Sequence, residues 1–196
     1  MEALSKPKTE KFKFLAETIL KLLASHGEGA IKVSRLARSA KVSRAWIYKY
    51  VGAGHQDLMN LAVHRLIEIL RASVVEVPTT PEEWVQSRMI YMRQFMNVMI
   101  EHPYVVSLFY RYRGSSTYYG KLIDEVELDF IRTSSLRTQV ALGVSENKAI
   151  FFTKTFTTIR FALAHQFLTS HEHQDEAQLN RILKLTEAAL ERLIKV

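Results

Sequence analysis

The stretch that decides the fold runs from Val33 to Val51 and reads VSRLARSAKVSRAWIYKYV. Apolar residues recur at helical spacing on both sides of a short break, which predicts two short helices, about Ser34–Ala40 and Arg44–Tyr50. The side chains spaced to fill the seam between them are Leu36, Ala37, Ala40, Val42, Ile47 and Val51. Two of these are alanines, whose small side chains allow helices that cross steeply to approach closely. The pattern therefore predicts a tightly packed pair of short helices.

The second helix of the pair is predicted to keep one face free for a partner. Ser43 is placed to accept backbone amide hydrogens at the start of this helix. The residues left on the outward face, near the amino-terminal end, are Arg44, Ala45, Trp46 and Lys49. A helix that reads the major groove of DNA presents this end to the base edges. We therefore expect the face to contact DNA, with the Trp46 indole exposed.

Basic residues are concentrated around this helix pair. The chain of 196 residues has a net charge of +7; residues 1–60 hold 11 Lys/Arg and 5 Asp/Glu, whereas residues 61–196 hold 16 and 15. Between Gly29 and Gln56 there are six basic residues and no acidic one. A solvated surface usually mixes charges of both signs. A surface of one sign predicts a polyanionic partner, and nucleic acid is the first candidate.

Composition excludes several other classes of protein. The absence of cysteine removes disulfides, thiolate catalysis and cysteine-based metal sites, and fits a reducing compartment. The first 13 residues lack the apolar run of a signal peptide, and the longest apolar stretches fall short of the roughly 20 residues that cross a bilayer. We expect a soluble, cytoplasmic protein without a membrane partner.

Helical periodicity continues along the rest of the chain, and strand-like alternation is absent. One helix around residues 12–23 precedes the pair and ends near Gly27. Thr80 and Ser145 stand where N-caps are expected. The helices predicted after the pair are about His55–Val77, Pro81–Glu101, Pro103–Tyr112, Ser116–Ala141, Glu146–Ser170 and Asp175–Ile194. The expected fold is all-α, with about nine helices.

The helix pair resembles the signature of the tetracycline-repressor (TetR) type of transcriptional regulators. The matching residues are Ala37, Ala40, Val42, Ser43, Ile47, Tyr48, Tyr50 and Val51. Lys41 stands where a turn glycine is usual, and Val51 replaces an aromatic residue. The following loop is one residue longer than usual and lacks a phosphate-anchoring lysine, for which His55 is a candidate substitute. The resemblance implies a three-helix helix-turn-helix DNA-binding domain at 1–54 and a six-helix effector-binding and dimerisation domain at 55–196.

The resemblance and the outward face together supply the candidate DNA-binding residues. Generic surface charge is the alternative for Arg44 and Lys49, packing is the alternative for Trp46, and a partly buried position is the alternative for Tyr48. The complete candidate set is Ser34, Arg35, Ser43, Arg44, Ala45, Trp46, Tyr48, Lys49, Tyr50 and His55.

An effector cavity among the fifth to eighth helices is implied by the resemblance, and helical bundles do host such cavities. Aromatic and methionine side chains dominate these helices, so we expect a small apolar or aromatic effector, although the same stripes also build ordinary cores. Asn97 and His102 are further polar candidates. The candidate ligand-binding residues are Arg88, Tyr91, Met92, Phe95, Met99, Tyr104, Phe109, Tyr118, Phe130, Phe161 and His165.

The last two helices are predicted to form a homodimer interface. Both helices have more apolar positions than one intramolecular face needs, although the chain's own core could absorb some of them. Their apolar stripes are Phe152, Phe156, Ile159 and Leu163 on one, and Leu179, Ile182, Leu183, Thr186, Leu190 and Leu193 on the other. A dimer would place two reading helices in successive major grooves of a double-stranded operator.

These features predict a repressor that a small molecule releases from its operator. The alternative is an all-helical ligand-binding or catalytic protein whose basic head is incidental. Sequence motifs of hydrolases and nucleotide-binding enzymes are absent, so we expect no enzyme and no cofactor. His171-Glu172-His173 resembles a metal-chelating tract but lacks a confirming third group, so we expect a polar loop and no metal.

Overall fold

The computed structural model describes residues 6–52, 54–70, 77–170 and 175–194, with side chains described from residue 8. These residues form nine α-helices, one 3-10 turn at Glu28–Ala30 and no β-strand. The helices are α1 Lys6–His26, α2 Val33–Ser39, α3 Arg44–Tyr50, α4 His55–Leu70, α5 Pro81–Glu101, α6 Tyr104–Tyr112, α7 Tyr118–Leu142, α8 Glu146–Thr169 and α9 Glu176–Leu193. The prediction of an all-α fold is confirmed.

Most predicted helix ends lie within two residues of the observed ones. There are two exceptions. α1 begins at Lys6, six residues before the start of the predicted apolar stripe. α4 was expected to continue to Val77; Val77 is not helical, and residues 71–76 lie outside the described part of the chain. Thr80 caps α5 as expected, because its hydroxyl accepts a hydrogen bond from the Glu83 amide at 3.2 Å. Ser145 occupies the N-cap position of α8 without a side-chain hydrogen bond.

By their contacts the residues divide into two compact units. Unit 1 comprises residues 1–70 and 107–125, and unit 2 comprises residues 71–106 and 126–196. The predicted boundary after residue 54 separates a DNA-binding domain from an effector-binding and dimerisation domain by their expected functions, and it stays a prediction.

Unit 1 is built around the packing of α1 on α4. The buried side chains of α1 include Leu15, Ile19, Leu20 and Leu23, and those of α4 include Leu58, Met59, Ala62 and Leu66. Each large aliphatic side chain removed from water in this way contributes about 1.5–3 kcal/mol. The guanidinium of Arg65 adds an ion pair between the two helices, with its Nη2 2.6 Å from Glu17 Oε1. The start of α4 is therefore held on a packed support.

Residues 107–125 are tied to the end of α1. Arg111 Nη1 donates to the carbonyl oxygens of Leu23 and Ala24 at 3.0 and 2.8 Å, which satisfies acceptors that the last turn of a helix leaves without a partner. In the first turn of α7, a Cβ on Gly120 would stand 2.7 Å from the carbonyl oxygens of Tyr112 and Ser115. Only glycine permits this close approach.

Unit 2 has a core to which α5, α7 and α8 contribute. The indole of Trp84 is buried, and its Nε1 donates to Thr138 Oγ1 at 3.0 Å, while the Thr138 hydroxyl donates to the Ser134 carbonyl at 2.9 Å. On another side of α5, Arg93 bonds to Glu176 and Asn180 of α9. Because the buried polar groups of Trp84 and Thr138 have partners, they hold α5 and α7 in register without the desolvation cost of an unpaired group.

The stripes predicted to form the dimer interface are mostly buried inside unit 2. Phe152 and Phe156 of α8 are buried, and so are the α9 residues Leu179, Leu183, Thr186 and Leu190. Assigning these side chains to a subunit interface was therefore wrong, because the chain's own core covers them. Of the predicted stripes, Ile159 alone is exposed, at 42%.

Among the described residues, no helix combines the length and the hydropathy needed to cross a membrane.

Candidate functional sites

Helices α2 and α3 pack through the seam that the sequence predicts. Leu36 and Ile47 are fully buried, Ala37 and Ala40 are buried, and Val42 and Val51 are half-buried. The two largest buried side chains come from opposite helices, and the alanines leave room for them.

The turn between these helices places Lys41 in the backbone conformation that a glycine usually adopts at this position. Lys41 has φ 52°, in the left-handed region. The next amide, of Val42, donates to the Ala37 carbonyl at 3.0 Å, so the end of α2 closes as a Schellman turn. Ser43 then caps α3, because its Oγ accepts a hydrogen bond from the Trp46 amide at 3.0 Å. The predicted cap is confirmed.

Six basic side chains cluster around this helix pair. All six are exposed, and Lys32 lies at the N-cap of α2; the six are Lys32, Arg35, Arg38, Lys41, Arg44 and Lys49. Within the described part of the chain, no carboxylate forms an ion pair with any of them. Their charge is therefore not neutralised internally and is available to an external anion.

Trp46 does not lie on the outward face, contrary to the prediction. Its indole is half-buried, with ring centroids 5.1 Å from Phe12 of α1 and 5.3 Å from Tyr50. The helical wheel of α3 alone could not show that α1 covers this side. The indole braces α3 against α1.

The two tyrosines of α3 are both exposed, Tyr48 at 52%, so the alternative of a partly buried Tyr48 was wrong. The ring of Tyr50 lies 4.1 Å from Lys8 Nζ and 5.3 Å from Lys49 Nζ. Cation–π contacts of this kind hold the two ammonium groups beside the carboxy-terminal half of α3.

His55 begins α4 beside acidic groups. Its Nε2 lies 3.7 Å from Glu28 Oε2, and the other oxygen of that carboxylate accepts from the Tyr119 amide at 3.2 Å. Asp57 accepts from the Gly54 amide at 3.1 Å. A phosphate bound by His55 would have to compete with Glu28, and the role assigned to this residue stays a prediction.

The candidate effector residues are divided between the two units. Phe109 and Tyr118 belong to unit 1, and Tyr118 donates to Asn60 at 3.0 Å there. The other nine belong to unit 2. His165 is exposed on α8, and the hydroxyl of Tyr104 lies 3.2 Å from His102 Nδ1.

Four of the candidate rings surround a residue that the sequence patterns did not single out. Arg160 of α8 is 5% exposed. The Cζ atom of its guanidinium lies within cation–π distance of each ring centroid: 4.6 Å from Phe130, 4.7 Å from Phe95, 5.0 Å from Tyr91 and 5.4 Å from Phe161. The structure thus brings these four predicted residues together around a buried cation.

A second arginine is buried in the same unit. Arg88 is 9% exposed, and its Cζ lies 5.4 Å from the Trp84 ring. Burial lowers the pKa of the Arg88 guanidinium to about 10; Tyr91 opposes this shift, and the positive charges of Arg160 and Arg137 add to it. Arg88 is nonetheless charged at neutral pH, so unit 2 contains two neighbouring buried cations.

Comparison with solved structures shows what kind of fold this is. A TetR-like transcriptional regulator from Rhodococcus sp. RHA1 superposes with a TM-score of 0.67 at 14% identity, covering 98% of each chain. A TetR-family regulator from Streptomyces coelicolor has a TM-score of 0.60 at 18% identity over 95% of this chain and 82% of its own. Another TetR-type regulator from that organism has a TM-score of 0.58 at 14% identity over 97% and 95%.

The chain has the TetR-type fold. No protein-family model matches the sequence, and no curated protein matches it either. The similarity is therefore one of structure over almost the whole length, carried by few identical residues. In this chain the α2–α3 pair packs closely with Lys41, and not glycine, at the turn between the helices.

Arg160 had a signal in the sequence that could have identified it. It lies four residues after Phe156 and four before Ala164, on an apolar stripe of α8 where a charged residue is unexpected. Among the described residues, no group of three potential ligands could hold a metal ion. His171-Glu172-His173 lies outside the described residues.

Proposed function

We propose that this protein is a DNA-binding transcriptional regulator that reads an operator with the α2–α3 pair. The observation that carries the proposal is the helix-turn-helix surrounded by six basic side chains without an ion-pair partner in the described chain. A double helix presents a closely spaced row of phosphates, and basic side chains that release its counterions supply most non-specific affinity.

The residues of this surface fall into two groups, those expected to contact base edges and those expected to contact phosphates. Arg44 and Ala45 stand at the amino-terminal end of α3, the end that enters the major groove, and we assign them to base edges. Tyr48 and Lys49 lie one turn further along, where phosphate contacts are expected. The remaining phosphate candidates are Ser34, Arg35, Ser43, Tyr50 and His55. Trp46 acts in this proposal by holding α3 against α1.

The test is a titration of labelled duplex, obtained by selecting genomic fragments that the full-length protein binds. Fluorescence anisotropy at several salt concentrations gives the slope of log affinity against log salt. Arg44→Glu and Lys49→Glu should each weaken binding and lower that slope by about 0.9 for each phosphate that the variant no longer neutralises. Arg132→Glu makes the same charge change at an exposed position of α7 and should leave the slope unchanged.

Unchanged affinity in both α3 variants would show that this face does not bind DNA. Absence of salt-dependent duplex binding by the wild-type chain would favour the alternative, a ligand-binding or catalytic protein with an incidental basic head.

We further propose that the regulator is a homodimeric repressor, and that a small molecule bound in unit 2 releases it from the operator. A ligand shifts this equilibrium only if it binds the released conformation more tightly than the DNA-bound one. Aromatic and methionine side chains of α5, including Tyr91, Met92, Phe95 and Met99, support an effector with an apolar body. Release of labelled operator on addition of such a ligand is the direct measurement.

A further inference from the structure

Unit 2 contains two buried arginines that no carboxylate neutralises. Arg88 and Arg160 are more than nine-tenths buried, and within the described residues neither forms an ion pair. Two carboxylates of unit 2 bind other groups: Glu176 pairs with Arg93, and Glu83 accepts hydrogen bonds from Thr79. Buried charges in proteins are ordinarily paired. These two require an explanation.

The aromatic rings satisfy only part of what a guanidinium needs. A ring attracts the cation through its face, whereas the five N–H donors point outward in the guanidinium plane. The Nε and Nη1 atoms of Arg160 and the Nε of Arg88 are buried without a hydrogen-bond partner. Because a buried donor without a partner is unfavourable, we expect an acceptor to bind at the edge of each guanidinium.

The two cations also act on each other. Arg88 and Tyr91 lie one turn apart on α5, and the Arg160 guanidinium lies 5.0 Å from the Tyr91 ring, so both cations lie on the same side of α5. The positive charge of Arg160 accordingly adds to the lowering of the Arg88 pKa. A single anion between or beside them would relieve this repulsion and accept hydrogen bonds from the unpaired donors. Arginine is suited to such a role, because its planar fork binds a carboxylate through two parallel hydrogen bonds.

We propose that the effector is an amphiphilic carboxylate, whose carboxylate group binds Arg160 and Arg88 and whose aromatic or alkyl body packs on Tyr91, Phe95, Phe130 and Phe161. The inference rests on the proposed effector site in unit 2 and specifies its chemistry. A carboxylate fits better than a phosphate monoester, because the three unpaired guanidinium nitrogens match the roughly four acceptor sites of a carboxylate and would leave the three terminal oxygens of a phosphate short of donors.

The first experiment measures melting temperature and calorimetric affinity with the full-length protein and no DNA. The probes are benzoate, 3-phenylpropanoate and octanoate, each beside its neutral primary amide, with phenyl phosphate as a further anion. At a concentration about 100 times Kd, the best carboxylate should raise Tm by about 5–10 °C. Its amide should bind at least about 30-fold more weakly. Equal effects of acid and amide, no effect of any carboxylate, or an effect of the phosphate alone would overturn the proposal.

The second experiment asks whether the arginines serve a ligand or only the fold. Arg160→Met removes the buried charge but keeps an apolar side chain, so Tm without ligand should stay equal or rise, and stabilisation by the carboxylate should disappear. If Arg160 only stabilises the fold through its cation–π contacts, Arg160→Met should instead lower Tm and leave the response to ligand unaltered. Arg160→Lys keeps the charge without the fork and should retain the fold with weakened carboxylate binding. Arg132→Met, at an exposed position of α7, is the matched control and should change neither quantity.

Separate measurements keep this inference distinct from the proposed function. Carboxylate binding that leaves operator affinity unchanged would support the site and contradict effector release. Operator binding by a protein that ignores every carboxylate would support the regulator and contradict the site.

Discussion

At the scale of single residues, the backbone conformation of Lys41 in the helix-turn-helix lowers the stability of the fold. Its φ of 52° places a Cβ-bearing residue in the left-handed region, which is unfavourable by about 1–2 kcal/mol for most L-residues. The turn is kept because the seam residues on either side, Ala40 and Val42, must both reach the interface. Tertiary packing therefore offsets the local strain.

Replacing Lys41 by glycine should remove that strain. The gain is reduced by the larger conformational entropy of glycine in the unfolded chain, so the free energy of unfolding should rise by about 0.5–1 kcal/mol. Urea denaturation followed by circular dichroism measures the change. Lys41→Ala removes the same charge but keeps a Cβ, and it should show no such gain. A gain of equal size in both variants would trace the effect to charge instead of backbone conformation.

At the scale of elements, α5 and α8 begin at N-cap residues that differ in their hydrogen bonds. Thr80 caps α5 with its hydroxyl, and the Glu83 carboxylate reaches back to the amide and hydroxyl of Thr79, both at 2.8 Å. These hydrogen bonds lower the pKa of Glu83, and the bond from the Thr79 amide has the largest effect. Their stabilising effect is therefore present above the ordinary glutamate pKa and is lost as the pH falls through the lowered value. Ser145 occupies the same position on α8 without a comparable bond.

Thr80→Ala should lower the free energy of unfolding by about 1 kcal/mol, because an amide at the start of α5 loses its acceptor. Ser145→Ala removes a hydroxyl that makes no such bond and should cost clearly less. Thermal denaturation of both variants at neutral pH provides the comparison. Equal losses would mean that the N-cap hydrogen bond seen at Thr80 contributes nothing beyond the residue's intrinsic preference.

For the whole molecule, the exposed apolar side chains of α8 and α9 indicate where a second copy would bind. Phe151 and Ile159 of α8 are 61% and 42% exposed, and Leu185 of α9 is 73% exposed. Such side chains suit a self-complementary contact, but α7 also exposes Leu128, Leu136 and Val140, so the choice of α8 and α9 rests on what the resemblance to TetR-type regulators implies. Ile159 and Leu185 are the positions at which the proposed homodimer can be broken without disturbing the chain's own core.

We expect the wild-type protein to sediment at twice the 22.6 kDa mass of the chain. Ile159→Glu combined with Leu185→Glu should weaken self-association by at least about 100-fold, because the charges would be buried without partners. Leu183→Glu is unsuitable for this test, since Leu183 is buried within the chain and its replacement would unfold unit 2. Leu128→Glu on α7 is the control and should leave the dimer intact. A wild-type monomer that still protects a symmetric operator would contradict the proposal.

The local sequence was sufficient to predict most of the helices and the packing of the α2–α3 pair. Helical periodicity, Thr80 before Pro81, Ser43 before Arg44 and the exposed basic residues are all short-range features, and the structure agrees with each. They could be predicted because a cap or an amphipathic stripe depends on residues within one or two turns of each other.

Tertiary structure alone decided the surroundings of Trp46, Leu183 and Arg160. A helical wheel assigns each side chain to a face, but it does not show which distant helix covers that face. α1 covers Trp46, unit 2 encloses Leu183, and rings from α5, α7 and α8 surround Arg160. Burial and electrostatic environment depend on contacts between residues far apart in the chain. For that reason the sequence could predict a face for DNA, which stays a prediction, and only the folded structure disclosed that Arg160 is buried in unit 2.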